Sequence, residues 1–207
     1  SCESTDAVVS FDSGICSSCA KPHSRGRSHL RQVYVQAAER LQRGEAAYRQ
    51  GSLDSARDIL ESLLQDVGNV LYRSHILVYS SLHHLTSLCV QLDDAWAAGN
   101  YCRRAISCLQ EVFPKYHTET AMMHRELAYI EWRLASGSEH KMANAAPTRQ
   151  QPRPGALRSR AVAEFDKAMQ IIEVCYGPHR EVYQKLLDAK SACAAGDNAP
   201  EPTPPGT

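Results

Sequence analysis

The sequence predicts an all-α chain of repeated antiparallel helical hairpins, on three observations. Apolar residues recur at steps of three and four from about residue 28 to residue 195, which is the spacing of amphipathic helices. Helix-stop and helix-start residues interrupt that pattern at short intervals. Small residues return at a fixed distance from one hairpin to the next. About seven helices are expected.

The first helix, from about Ser28 to Gln50, carries Val33, Ala37, Leu41 and Tyr48 on one stripe. Gly51-Ser52 ends it, because Gly favours the position past a helix C-terminus and Ser is a good N-cap. The second helix follows with Leu53, Ala56, Ile59, Leu60, Leu63 and Leu64. A third runs from about Tyr72 to Leu92 through Leu77, Leu82, Leu85 and Leu88. Asp93-Asp94 then caps a fourth, with Trp96, Ala98, Tyr101, Cys102, Ala105 and Leu109, and Pro114 closes it. The fifth extends from about Thr118 to Ala135. Residues 136–157 hold three Pro, two Gly and few large apolar side chains, so a flexible surface loop is expected there. Helical spacing resumes at about Arg158 through Val162, Phe165, Ala168, Met169 and Ile172. Gly177-Pro178 stops it, and a last helix holds Val182, Leu186, Leu187 and Ala192. Residues 196–207 are Pro-rich and are expected to be disordered.

The hairpins share a register. A TPR-like hairpin needs small residues where its helices cross, a Gly-like turn, and Ala at two positions of its second helix. Gly44, Gly51, Ala56 and Leu60 supply these in the first hairpin, and Asp93, Ala98, Cys102 and Ala105 in the second. Ala161, Phe165 and Ala168 supply them in the third. Ala98 follows Ala56 by 42 residues, and Ala161 follows Ala98 by 63, which is 42 plus an insertion about the size of 136–157. Phe113-Pro114-Lys115-Tyr116-His117 and Cys175-Tyr176-Gly177-Pro178-His179 recur after the second and third hairpins. The chain therefore reads as three domains: a Cys-rich segment at 1–27, TPR-like helical repeats at 28–195 and a tail at 196–207.

Composition narrows the function. Lys plus Arg and Asp plus Glu are 23 each, so no net charge draws the chain to nucleic acid or an anionic membrane. No stretch reaches the roughly 20 apolar residues of a membrane span. No secretory leader is visible, and a reducing compartment, cytoplasm or nucleus, is expected. A first residue of Ser rather than Met points to a segment of a longer protein.

Cys16-Ser-Ser-Cys19 is a CxxC, the bite with which two thiolates hold one tetrahedral zinc. Cys2 would belong to a second pair, and His23 is another candidate ligand. The competing reading is a thiol-bearing leader without metal. A redox CxxC is disfavoured because no βαβ pattern surrounds it. Five other cysteines, Cys89, Cys102, Cys108, Cys175 and Cys193, sit singly in helices as small apolar residues.

Catalysis by this chain is not expected. His83 and His84 are neighbours about 100° apart on a helix and cannot chelate one ion together. His75, His117, His124 and His179 fall near hairpin ends, where capping or surface roles are expected. Lys141, Arg149, Arg153, Arg158 and Arg160 read as a solvated basic linker. No phosphate loop, metallopeptidase helix or nucleophile elbow appears. The Lys and Asn with which some TPR domains clamp a C-terminal carboxylate are replaced by Leu41, Glu45 and His84.

The order of parts resembles the C-terminal region of SET- and MYND-domain protein-lysine methyltransferases. Carrying the match are Cys16 to Cys19, GRSHLRQV (26–33), RQGSLDSA (49–56), the Ala98/Ala105 hairpin, HRELAYI (124–130) and CYGPHREV (175–182). The match spans about residues 14–195, with 136–157 extra. The resemblance implies that Cys2, Cys16 and Cys19 are three of four ligands of a structural zinc. It implies a helical lobe that controls access of protein tails to a SET domain and binds other proteins in its groove. The residues that bind S-adenosylmethionine and transfer the methyl group would lie in that SET domain, outside this chain. A free-standing TPR adaptor is the alternative.

Overall fold

A computed structural model of the chain describes residues 26–68, 71–142 and 152–200, with side chains for 31–68, 71–137 and 152–200. The described residues form seven α-helices and no strand: α1 (Gly26–Arg49), α2 (Leu53–Val67), α3 (Ile76–Gln91), α4 (Ala95–Val112), α5 (Thr118–Met142), α6 (Pro154–Tyr176) and α7 (Glu181–Ala195). The arrangement is repeat-like. The described residues divide into two compact units, one up to His84 and one from Leu85, and the division falls within α3.

In the first unit α1 and α2 form an antiparallel hairpin. Arg40 pairs with Asp66 and donates to Ser62 Oγ at 2.6 Å, while Gly44 lies against Leu60, so partner numbers fall as α1 rises. A Cβ at Gly44 would sit 2.7 Å from Leu60 Cδ2, a distance that allows no side chain there without a shift. Ala56, Leu60 and Leu63 are fully buried beneath this crossing.

The turn that joins α1 to α2 recurs between α3 and α4. Gly51 has φ +77° and Asp93 has φ +59°, both left-handed, and they stand 42 residues apart. The amide after each, Ser52 or Asp94, donates back to Ala47 O (3.0 Å) or Cys89 O (2.8 Å), closing the last helical turn. The N-caps that follow have nearly the same dihedrals, −83°/68° at Ser52 and −94°/68° at Asp94. Asp94 alone is the cap, accepting from Ala97 N at 3.1 Å, whereas Asp93 terminates α3. Ala56, Ala98 and Ala161, the three register positions read from the sequence, are all fully buried.

In the second unit α4, α5, α6 and α7 run up and down in sequence. Asp93 pairs with Arg133 and Cys102 with Met123 O across α4 and α5. Glu131 meets Arg160 and His124 meets Glu164 across α5 and α6. Across α6 and α7, Lys190 meets Asp166 and Arg158 meets Gly196 O. Phe165, Ala168, Met169 and Ile172 of α6 fill the core between Ala128 and Trp132 of α5 and Leu186 and Cys193 of α7.

Two segments differ from the sequence reading. The expected loop at 136–157 is largely helix at its ends, since α5 continues to Met142 and α6 starts at Pro154. Pro154 occupies the first turn, where its missing N–H costs nothing, and Leu157 is fully buried. The start of the tail is also held rather than free. Gly196 (φ +94°) ends α7 with the same left-handed cap, and its neighbours turn back onto α5.

Candidate functional site

In the first unit α1, the first helix of its hairpin, faces the start of α3. Tyr34 meets His75 edge-on at 5.8 Å, and Tyr48 meets His84 at 6.4 Å, so partner numbers rise together and the helices are parallel. Glu45 and His84, the positions that would hold a carboxylate clamp, lie together, with Oε1 and Nε2 3.0 Å apart. Both are about 30% exposed, so the pair is reachable from solvent. A carboxylate at Glu45 repels an incoming carboxylate. His83 stacks on Tyr79 at 6.0 Å and its ring centre is 5.9 Å from that of His84.

Helix α5 carries the polar contacts of the second unit. Glu131, 1% exposed, accepts from Arg103 of α4 at 2.8 Å and Arg160 of α6 at 2.5 Å through one oxygen. Its second oxygen is buried without a partner. The carboxylate thus ties three successive helices. Arg160 is therefore part of the packing, and Arg158 donates to Gly196 O at 2.9 Å, so neither belongs to a solvated linker. The signal that could have placed them was the helical spacing that resumes next to them.

His124 is also not a surface residue at a hairpin end. It is 5% exposed, and its Nδ1 lies 2.6 Å from Glu164 Oε2, while Lys167 binds the other oxygen at 2.6 Å. Burial alone would raise the Glu164 carboxyl, and the hydrogen bonds from His124 and Lys167 more than reverse this, leaving it below its ordinary value. Two other histidines cap turns as expected: His75 Nδ1 accepts from Leu77 N at 3.2 Å and His117 Nδ1 from Glu119 N at 3.3 Å.

A nucleophile is not assembled from these groups. The Cys102 Sγ–H donates to Met123 O at 3.4 Å, and burial pushes its thiol far above the range in which a thiolate forms. The metal candidates Cys2, Cys16, Cys19 and His23 lie outside the described residues. Among the described residues, no three His, Cys, Asp or Glu side chains converge as a metal site would require. The two Pro-His elements come together at one end of the second unit, where Cys175 Sγ donates to Tyr116 O at 3.6 Å and Thr118 Oγ1 lies 3.1 Å from Tyr176 Oη. Phe113, Tyr116 and Tyr176 are exposed there, and His117 stacks on Phe113 at 3.9 Å. No helix among the described residues is long and apolar enough to cross a membrane.

No protein-family profile matches the chain, and no curated protein matches it. Among solved structures it is similar to BtubC (BKLC) from P. vanneervenii, with a TM-score of 0.48 and 14% identity over 88% of this chain and 77% of that one.

Proposed function

We propose that the chain is the TPR-like helical lobe of a SET/MYND-type protein-lysine methyltransferase, nearest to the fourth member of that family, which binds protein tails and restricts their access to a catalytic SET domain. The observation that carries the reading is the repeated turn. Gly51 and Asp93, 42 residues apart, have the same left-handed backbone, the same back-bonded amide and the same capping dihedrals. That period is longer than the roughly 34 residues of a minimal TPR, and the Cys16–Cys19 pair precedes it as the family order requires.

In this reading Cys2, Cys16 and Cys19, with His23 or an upstream residue, hold a structural zinc that joins the lobe to the catalytic domain. S-adenosylmethionine binds only in the SET domain. The groove residues Glu45 and His84, a carboxylate beside an imidazole, suit a lysine- or arginine-bearing tail better than a C-terminal carboxylate. Neither nucleic acid nor membrane is a partner, and the protein works in the cytoplasm or nucleus.

The test is metal content in a chain extended upstream. About one zinc per chain, lost on Cys16→Ser, supports the reading. A metal-free chain whose upstream reading frame encodes no SET domain overturns it in favour of a free-standing TPR adaptor.

A further inference from the structure

Helix α5 presents a donor and an acceptor one turn apart, and the chain that follows α7 already lies on them. Trp132 Nε1 donates to Asp197 O at 2.8 Å, and Ser136 Oγ accepts from Ala199 N at 3.1 Å. The Ser136 proton is committed to Trp132 O at 3.1 Å, which leaves its oxygen as an acceptor. Arg158 adds a second donor, to Gly196 O at 2.9 Å. All three contacts are to main-chain atoms. Asp197, Asn198 and Pro200 are exposed, and only Ala199 packs partly against the core.

The carbonyl of one residue and the N–H of the second residue after it flank a single residue, and these two groups, Asp197 O and Ala199 N, meet Trp132 and Ser136. An extended chain turns both groups to the same side. Proline favours such a chain: a residue preceding Pro, as Ala199 precedes Pro200, is held extended, so little entropy is lost on docking.

We propose that Trp132, Ser136 and Arg158 form a docking strip for an extended, proline-rich peptide of a partner protein, read through its backbone, and that Gly196–Pro200 of the chain occupies this strip in cis. Docking in trans requires the tail to leave, so the tail sets the threshold for binding. A tethered tail competes at an effective concentration in the millimolar range, and releasing it unmasks the strip. This inference does not depend on whether the chain belongs to a methyltransferase.

The experiment uses a fluorescein-labelled synthetic peptide of residues 195–207 and the full chain carrying Ala199→Pro, which removes the donor to Ser136. A chain ending at Gly196, which loses the contacts to Trp132 and Ser136 and keeps that to Arg158, serves as a second released form. The probe binds both released forms at least ~10-fold more tightly than the unaltered chain. Adding Ser136→Ala to the released chain, or N-methylating the probe at the Ala199 nitrogen, abolishes the gain. A proline-rich peptide with unrelated side chains and the same free N–H competes with the probe. The proposal is overturned if the folded Ala199→Pro chain binds no better than the unaltered one. It is equally overturned if N-methylation has no effect or the unrelated peptide fails to compete.

Discussion

Glu131 is the residue on which the second unit turns, because one buried carboxylate oxygen serves arginines from two other helices. Charge-assisted bonds of this kind are the strong ones, although Arg103 and Arg160 are themselves 35% and 43% exposed. Glu131→Gln is expected to lower stability by about 1–2 kcal/mol, seen as a reduced denaturation midpoint with unchanged helical content. Glu164 gives a pH-dependent counterpart. Its carboxyl is held below its ordinary value in the folded chain, so the unfolded chain takes up the proton first as pH falls. Its contribution is complete above the unfolded value and is lost as pH drops through the folded one. Stability profiles between roughly pH 6 and pH 3 should therefore fall less steeply for Glu164→Gln than for the unaltered chain. Neither residue stood out in the sequence. Glu131 lies among apolar neighbours with its partners 28 and 29 residues away, and His124 looked like a hairpin-end residue until α5 placed it opposite Glu164.

The elements themselves were legible, because helical spacing and stop signals are local. Gly51-Ser52, Asp93-Asp94, Pro114 and Gly177-Pro178 each fall between two helices, as their chemistry demands. The loop at 136–157 was not legible, since its composition is that of a linker while α5 continues to Met142 and α6 starts at Pro154, with Leu157 of α6 buried. The two left-handed turns make opposite predictions. Nothing lies within 4 Å of a Cβ at Gly51, so Gly51→Ala should cost about 1–2 kcal/mol through backbone strain alone. Asp93→Gly relieves that strain and gives up an exposed pair with Arg133, so thermal unfolding should shift little or slightly upward. Gly44→Ala differs from both. It drives a methyl into Leu60 at the α1–α2 crossing, with an expected loss of about 1–3 kcal/mol by chemical denaturation.

At the scale of the whole molecule, the register of buried Ala56, Ala98 and Ala161 could be read in advance, whereas the division at residues 84 and 85 could not. It falls inside a helix, where no change of composition marks it. Phe165 sits at the centre of the second unit, edge-on to Tyr129 and Trp132, and Phe165→Ala should lower its stability by about 3–5 kcal/mol in denaturant titration. The buried thiols give that unit a built-in reporter. Among the described cysteines Cys175 is exposed, while Cys89, Cys102, Cys108 and Cys193 are buried, and all five lie in residues 85–207. Alkylation proceeds through the thiolate, which burial denies to Cys102 and Cys193 in the folded state. A native chain exposed to iodoacetamide should thus mark Cys175 at once and the other four only as helices part. Peptide-resolved mass spectrometry of the time course then serves as a clock, reading how often each layer of the second unit opens.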